Sequence, residues 1–107
     1  ISRTRTTFNV TNPGTFTTIL GEAVVDDGIV VYLNNKEIWR FNMAAAPTAI
    51  TSASLATVTV GGTDESSANA SAWKPFTVNA TDLVNGTNTI ACEIHQANVT
   101  SSDISFN

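Results

Sequence analysis

Two adjacent carboxylates, Asp26 and Asp27, precede Gly28 between two predicted strands. Neighbouring carboxylates in a loop provide oxygen ligands for a hard cation such as Ca²⁺, and a bound cation can in turn bind the vicinal hydroxyls of a sugar. The same three residues also suit a tight turn, because Asp favours polar turn positions and Gly reaches positive φ. The segment therefore predicts either a calcium and sugar site at Asp26 and Asp27 or a turn that needs no cofactor.

The two tryptophans, Trp39 and Trp73, are the second set of candidate binding residues. A pyranose ring presents a face of C–H groups that stacks on an aromatic ring, and tryptophan provides a large ring for such a contact. Trp39 lies in a predicted hairpin strand, and Trp73 follows a long polar loop. Each is therefore either a ligand-binding side chain or a member of the hydrophobic core.

One pair of residues has the chemistry of a catalytic base and its orienting group. Glu93 and the single histidine, His95, are two residues apart in a predicted strand and so share one face. No obvious nucleophile motif accompanies them, and zinc would need further His or Cys ligands. Cys92, the single cysteine, alternates with them and fits a small buried core residue. We expect a hydrogen-bonded structural pair in a chain that is not an enzyme.

Five Asn-X-Ser/Thr sequons are a separate signal, because a glycosylated asparagine must lie at the surface of a secreted protein. The sequons begin at Asn9, Asn69, Asn79, Asn85 and Asn98. If the source organism glycosylates such sites, the chain is predicted to be a glycoprotein. Otherwise these asparagines are polar turn residues.

Apolar and polar residues alternate with a period of two along the chain, whereas no segment of ten or more residues has a clean helical period. The predicted strands are Thr4–Val10, Phe16–Val25, Gly28–Leu33, Lys36–Phe41, Thr57–Val60, Trp73–Val78, Thr87–Gln96 and Asp103–Phe106. Asn34 and Asn35 predict a tight hairpin turn, because asparagine tolerates positive φ. Many short strands with regular turns indicate an all-β fold, either an antiparallel β-sandwich or a jelly roll.

The composition favours one small extracellular domain spanning residues 1–107. Charged residues make up only 13% of the chain, and Thr, Ser and Asn supply most of its polarity, as in many secreted and cell-surface β proteins. The net charge of −4 argues against nucleic acid, which requires a basic face, and against anionic membranes. No run approaches about 18 apolar residues, so we expect no membrane insertion.

The segment from Val25 to Ile38, VDDGIVVYLNNKEI, resembles the DDG-x-VVYLNG-x-E hairpin of a family of bacterial extracellular modules. Further stretches follow in the family's order: Arg40–Met43, Val60–Ser66, Leu83–Ala91, Glu93–Gln96 and Ser101–Phe106. These modules are galactose-binding-like jelly rolls appended to secreted hydrolases, phosphoesterases and surface proteins. The resemblance covers nearly the whole chain. It implies a jelly-roll fold and an accessory, noncatalytic role, often assigned to carbohydrate binding.

Two departures from that family bear on packing and assembly. Cys92 stands where the family usually has Val, which favours a core position for it. The family's N-terminal portion has no counterpart before Thr4, and the sequence ends inside the family's last strand. We therefore expect a sandwich that lacks an edge strand at the N-terminus and leaves backbone groups unpaired. Either the sequence is a piece of a larger protein, or a neighbouring subunit supplies the strand.

Two functions follow as expectations. The first is a noncatalytic extracellular module that binds carbohydrate or mediates adhesion, with Asp26, Asp27, Trp39 and Trp73 as its ligand-binding residues. The second is a structural subunit of an extracellular filament or surface layer. Its partners are neighbouring copies of the same chain, joined by strand addition.

Overall fold

A computed structural model describes residues 2–15, 18–58 and 72–97 and the backbone of residues 105–106. Within these residues the protein is all-β. Its strands are β1 (Ser2–Val10), β2 (Thr18–Asp26), β3 (Gly28–Leu33), β4 (Lys36–Phe41), β5 (Trp73–Asn79), β6 (Gly86–His95) and β7 (Ser105–Phe106). The side chain of Asn79 caps a single 3-10 turn, Ala80–Asp82, by accepting a hydrogen bond from the Thr81 N–H, as its position predicts.

The strands form two antiparallel sheets. The four-stranded sheet has the order β1-β6-β3-β4, and the three-stranded sheet has the order β5-β2-β7. Strands β2 and β3 are consecutive in sequence but belong to different sheets, so the chain crosses between the sheets at Asp27. The prediction of an all-β antiparallel sandwich is confirmed.

Strands β3 and β4 form the predicted hairpin. Asn34 and Asn35 have φ angles of 50° and 70°, the left-handed values that a two-residue turn between twisted strands requires. Ile29, Val31 and Leu33 are buried between the sheets. The alternation that predicts this strand therefore also identifies its inner face.

The main core lies between the two sheets, where each strand contributes the side chains of one face. Its buried members are Ala23, Val25, Ile29, Val31, Cys92 and Ile94, with Ile38, Trp39, Phe41, Phe76 and Ile90 packed against them. A neighbouring cluster of Leu33, Val78 and Leu83 shares Ile38 and Phe76 with it. Burial of this apolar surface is the main favourable contribution to folding.

The outer face of β3 is covered by the segment that follows β4. Val30 on that face is fully buried under Met43 and Ala56. Arg40 fixes the segment, because its guanidinium pairs with both carboxylate oxygens of Glu37 and also donates to two backbone carbonyls of the segment. Strand β3 is therefore buried on both faces.

The predicted strand at Thr57–Val60 does not form at its first two residues. The side-chain oxygen of Asn42 accepts hydrogen bonds from the Thr57 hydroxyl and the Val58 N–H, and the Asn42 carbonyl accepts from the Thr57 N–H. Such local side-chain hydrogen bonds compete with strand pairing. The other two residues of this prediction lie outside the described residues.

Candidate functional site

The inner face of β1 has no strand opposite it among the described residues. The register of β1 with β6 places Thr4 beside Cys92 and Thr6 beside Ile90, so these side chains point toward the three-stranded sheet. Cys92 is buried, yet Thr4 and Thr6 are exposed, and Phe8 on the same face is 37% exposed. Strand β1 therefore extends beyond the sheet that faces it.

Strand β2 has one unpaired edge over most of its length. It pairs with β5 from Thr18 to Val24, whereas β7, on its other side, pairs only with Val25 and Asp26. In the part of the chain that the structure describes, no strand lies beside Thr18–Val24 on that second side. An open edge presents free N–H and C=O groups, which can pair with a further strand.

A groove lies between the uncovered face of β1 and the open edge of β2. Its volume is about 320 Å³, and its surface is predominantly apolar. The residues that line it include Thr4, Thr6, Ala23, Phe76, Ile90 and Cys92. We call this feature the inter-sheet groove.

The short strand β7 runs toward the inter-sheet groove. It is antiparallel to β2, with Phe106 beside Val25. A strand that continues in line with β7 therefore pairs with β2 from Val24 back to Thr18. Its alternate side chains, beginning with the one beside Ala23, enter the groove. The groove therefore lies along the edge of β2 at which a further strand of the three-stranded sheet would pair.

The groove is bounded on both sides, because residues of β1 and β6 line it opposite residues of β2 and β5. A single extended strand beside β2 needs about 4.8 Å in the plane of the sheet and about 10 Å between the two layers.

The acidic pair lies at the crossing between the sheets and is buried. Asp26 is 3% exposed and Asp27 is 1% exposed. One carboxylate oxygen of Asp27 accepts a hydrogen bond from the Ala97 N–H at 2.7 Å, and its carbonyl accepts from the side-chain amide of Asn42. Among the described residues, no group of three or more His, Cys, Asp or Glu side chains is placed to hold a metal ion. These contacts of Asp27 are those of a structural turn residue, and calcium binding stays a prediction.

Trp39 packs inside the sandwich. Its ring is stacked on Phe76 with 4.9 Å between the ring centroids, and it lies 5.8 Å from the ring of Phe41. Trp73 is the first residue of β5, where it is partly buried and pairs with Val24. The contacts of Trp39 are those of a core residue, and sugar binding by either tryptophan stays a prediction.

The Glu93 and His95 pair is enclosed in hydrogen bonds. His95 is 1% exposed, and its Nδ1 lies 2.7 Å from the carbonyl of Ser54, so Nδ1 carries a proton and donates it. Its Nε2 lies 3.3 Å from one carboxylate oxygen of Glu93, whose other oxygen accepts from Arg3. Both ring nitrogens thus have partners, and the pair ties β6 to the segment after β4.

Cys92 is a buried core side chain that also lines the inter-sheet groove. Burial raises the pKa of its thiol from 9.0 to about 11. Because the thiolate is the reactive form, we expect alkylation by iodoacetamide at pH 8 to be ~100-fold slower in the folded protein than in urea. Mass spectrometry measures both rates, and equal rates would contradict the buried thiol.

The raised pKa also means that the folded state holds the proton of the Cys92 thiol more tightly than the unfolded state does. The resulting contribution to the free energy of unfolding is fully present below pH 9.0 and is lost as the pH rises to about 11.

Three of the five sequon asparagines are described, and all three are exposed: Asn9, Asn79 and Asn85. Each accepts a hydrogen bond through Oδ1 from a neighbouring hydroxyl or backbone N–H. A glycan is attached through Nδ2, so these hydrogen bonds are compatible with glycosylation. Asn69 and Asn98 lie outside the described residues.

The groove residues Thr4 and Thr6 do not belong to the set of site residues that the sequence predicts. The sequence of β1 nevertheless contains a pattern that could have identified them. They alternate with Arg3 and Arg5, so the inner face of β1 carries small hydroxyl side chains before it reaches Phe8. An inner face without large apolar residues indicates a strand that its opposing sheet does not cover.

Comparison with protein-family models, with curated proteins and with solved structures finds no match. The resemblance to bacterial extracellular jelly-roll modules therefore stays a prediction. In the part of the chain that the structure describes, no helix has the length and hydropathy needed to cross a membrane.

Proposed function

We propose that this protein is a noncatalytic extracellular module that completes its sandwich with a β-strand from a neighbouring copy, as a subunit of a filament or surface layer. The observation that carries the proposal is the coincidence of two features among the described residues: the open edge of β2 and the uncovered inner face of β1. Either feature alone is common at the edge of a sheet. Together they enclose an apolar groove of about 320 Å³ in the position of one strand.

The energetics of the groove support strand addition. An incoming strand gains main-chain hydrogen bonds with β2, which provide affinity, while its alternate side chains enter the groove and provide specificity. Each Å² of apolar surface that it buries contributes about 25 cal/mol.

Strand addition between copies can continue from one subunit to the next and so build a filament or a layer. A strand donated from outside the groove makes a head-to-tail contact, in which each copy donates to one neighbour and accepts from another. The resemblance to secreted and surface modules supports the extracellular location.

A bulky side chain in the groove tests the proposal. Thr6 and Thr7 are adjacent exposed residues of β1 on opposite faces, and only Thr6 lines the groove. We expect the wild-type chain to associate with rising concentration in sedimentation velocity, and Thr6→Trp to stay monomeric because its indole occupies the place of the strand. The control, Thr7→Trp, adds the same ring to the outer face and associates like the wild type.

Two results would count against the proposal. A wild-type chain that stays monomeric at millimolar concentration contradicts assembly by neighbouring copies. Equal association of Thr6→Trp and the wild type places the contact outside the groove. Circular dichroism and urea unfolding of both variants establish that they are folded, so that a loss of association is not a loss of structure.

A further inference from the structure

The outer face of the four-stranded sheet carries a second concavity, built from three residues that lie side by side in neighbouring strands. The register pairs Tyr32 of β3 with Ala91 of β6, and Ala91 with Arg5 of β1. Ala91 ends at its β-carbon, whereas the side chains on either side of it are long. The row therefore forms a trough of about 390 Å³, which Asn35 and Glu93 also line. We call it the outer trough.

The outer trough carries positive charge in an acidic protein. Arg5 is exposed, and none of the hydrogen bonds and ion pairs of the described residues involves its guanidinium. Arg3, on the same face of β1, donates through Nε to Glu93 at 3.2 Å, and its side chain is 59% exposed, so its terminal N–H groups stay accessible. The chain has five Lys and Arg residues and a net charge of −4. Two of those five cations, Arg3 and Arg5, stand at this trough against one carboxylate, Glu93, so the trough keeps an excess of one positive charge, which favours an anionic ligand there.

The remaining lining residues match the neutral parts of a sugar. The ring of Tyr32 provides an aromatic wall, the kind of surface on which C–H groups pack. The amide of Asn35, exposed at the hairpin turn, offers both a donor and an acceptor. The carboxylate of Glu93 accepts hydrogen bonds from Tyr32 and Arg3 and also lies beside Nε2 of His95. Because a carboxylate has about four lone-pair sites, one of them can still accept from a hydroxyl.

We propose that the outer trough binds a carboxylate-bearing sugar, such as a uronic acid residue of a polysaccharide. The sugar carboxylate pairs with Arg5, whose planar guanidinium matches a carboxylate with two parallel hydrogen bonds. The sugar ring lies over Ala91 against Tyr32, and its hydroxyls reach Asn35 and Glu93. An acidic peptide fits less well, because it would place no hydroxyls beside the acceptor oxygens of Glu93.

The outer trough and the inter-sheet groove lie on opposite faces of β1 and meet at its border, where Thr4, Arg5 and Cys92 line both. The Arg5 side chain points to the outer face, whereas Thr4 and Thr6 point into the inter-sheet groove. Thr6 lines only the groove, and Tyr32 and Ala91 line only the trough, so the variants at Thr6 and Ala91 test the two sites separately. Sugar binding and association of the chain are separate measurements, and either can fail without the other.

Isothermal titration calorimetry with trigalacturonic acid tests the proposal. We expect binding that weakens as salt is added, because it depends on a charge pair. Arg5→Ala is expected to weaken it by about tenfold or more, since a charge-assisted, two-point hydrogen bond is lost. Lys74→Ala removes the same charge from β5, in the other sheet, and serves as the matched control with binding within twofold of the wild type.

A second variant keeps the charge and fills the space. Ala91→Leu leaves both arginines in place but puts a larger side chain in the floor of the outer trough, and we expect it to weaken trigalacturonic acid binding by about tenfold as well. Unfolding curves for all three variants establish that each is folded. Loss of binding in Arg5→Ala alone, with Ala91→Leu unaffected, would overturn the trough as the site.

The probes define the remaining outcomes. Absence of trigalacturonic acid binding overturns the proposal. Equally tight binding of maltotriose, a neutral trisaccharide, shows that the carboxylate is not recognised and overturns it too. Equally tight binding of triglutamate identifies the occupant as an acidic peptide. Tighter binding of trigalacturonic acid than of either control probe is the result that we expect.

Discussion

A strand of six residues, Val and Thr in alternation, appended to Asn107 is expected to raise the midpoint of thermal unfolding by about 10 °C. The register of β7 places the first, third and fifth appended residues beside Ala23, Gly21 and Ile19 of β2, so that three valines enter the inter-sheet groove. Each buried valine contributes about 1.5–3 kcal/mol, and ordering each residue costs about 1–2 kcal/mol. Backbone hydrogen bonds with β2 leave a net gain of about 2 kcal/mol, which corresponds to the expected shift.

The matched control is the same strand moved by one residue, so that it begins with Thr. Its composition and length are identical, but its valines now point to solvent, because side chains alternate along a strand. We expect its unfolding midpoint to lie close to that of the parent chain. An equal rise in both variants would contradict the register that we assign to the groove.

The alkylation rate of Cys92 gives this experiment a second readout. Cys92 lines the inter-sheet groove, so a strand that fills the groove further restricts access to its thiol. We expect the Val-first strand to slow alkylation and the Thr-first strand to leave it unchanged. A stabilised chain whose Cys92 reacts at the parent rate would indicate that the appended strand lies elsewhere.

Asn88→Ala is expected to lower the free energy of unfolding by about 3–5 kcal/mol. The side chain of Asn88 is fully buried. Its amide donates to the Val84 and Gly86 carbonyls, and its oxygen accepts from the Val84 N–H and from the side chain of Asn34. Alanine removes these four part-buried hydrogen bonds, each of which contributes about 0.5–1.5 kcal/mol. A domain has only about 5–15 kcal/mol of stability in total.

Asn9→Ala is the control for this loss, because Asn9 is an exposed asparagine whose side chain makes one hydrogen bond, with Thr87. Its expected cost is below about 1 kcal/mol. Urea unfolding followed by circular dichroism measures both values. A cost for Asn88→Ala as small as that for Asn9→Ala would show that the buried amide network does not hold the turn before β6.

The sequence predicts features that depend on neighbouring residues. Alternation identifies most strands, and the pair Asn34 and Asn35 predicts the β3–β4 hairpin, because positive φ is a local property. The cap at Asn79 follows from the same kind of local rule. Confirmation of the antiparallel sandwich shows that these local signals suffice for the fold class.

The roles of individual side chains depend on contacts between distant segments, which no local pattern contains. Trp39 is a core residue because Phe76, on the opposite sheet, stacks on it. The Asp26 and Asp27 turn is buried because other segments cover it, and the Ala97 N–H satisfies one carboxylate oxygen. Asn88 looks like one more turn asparagine in the sequence, although it is the centre of a buried network.

The inter-sheet groove is the feature on which the proposed function depends. The sequence predicts a missing edge strand at the N-terminus, and that stays a prediction. The open edge belongs to β2, in the middle of the three-stranded order, where β7 covers only Val25 and Asp26. Only the pairing of all the strands reveals this position.

Amide hydrogen exchange in β2, measured by NMR on dilute and concentrated samples, tests strand addition most directly. The amides from Leu20 to Val24 that point away from β5 face the inter-sheet groove. We expect their protection to rise at least about tenfold at concentrations where the chain associates, while the amides that point toward β5 stay unchanged. Association that leaves all the β2 amides unchanged, and instead protects the outer edges of β4 or β5, would contradict strand addition at the groove.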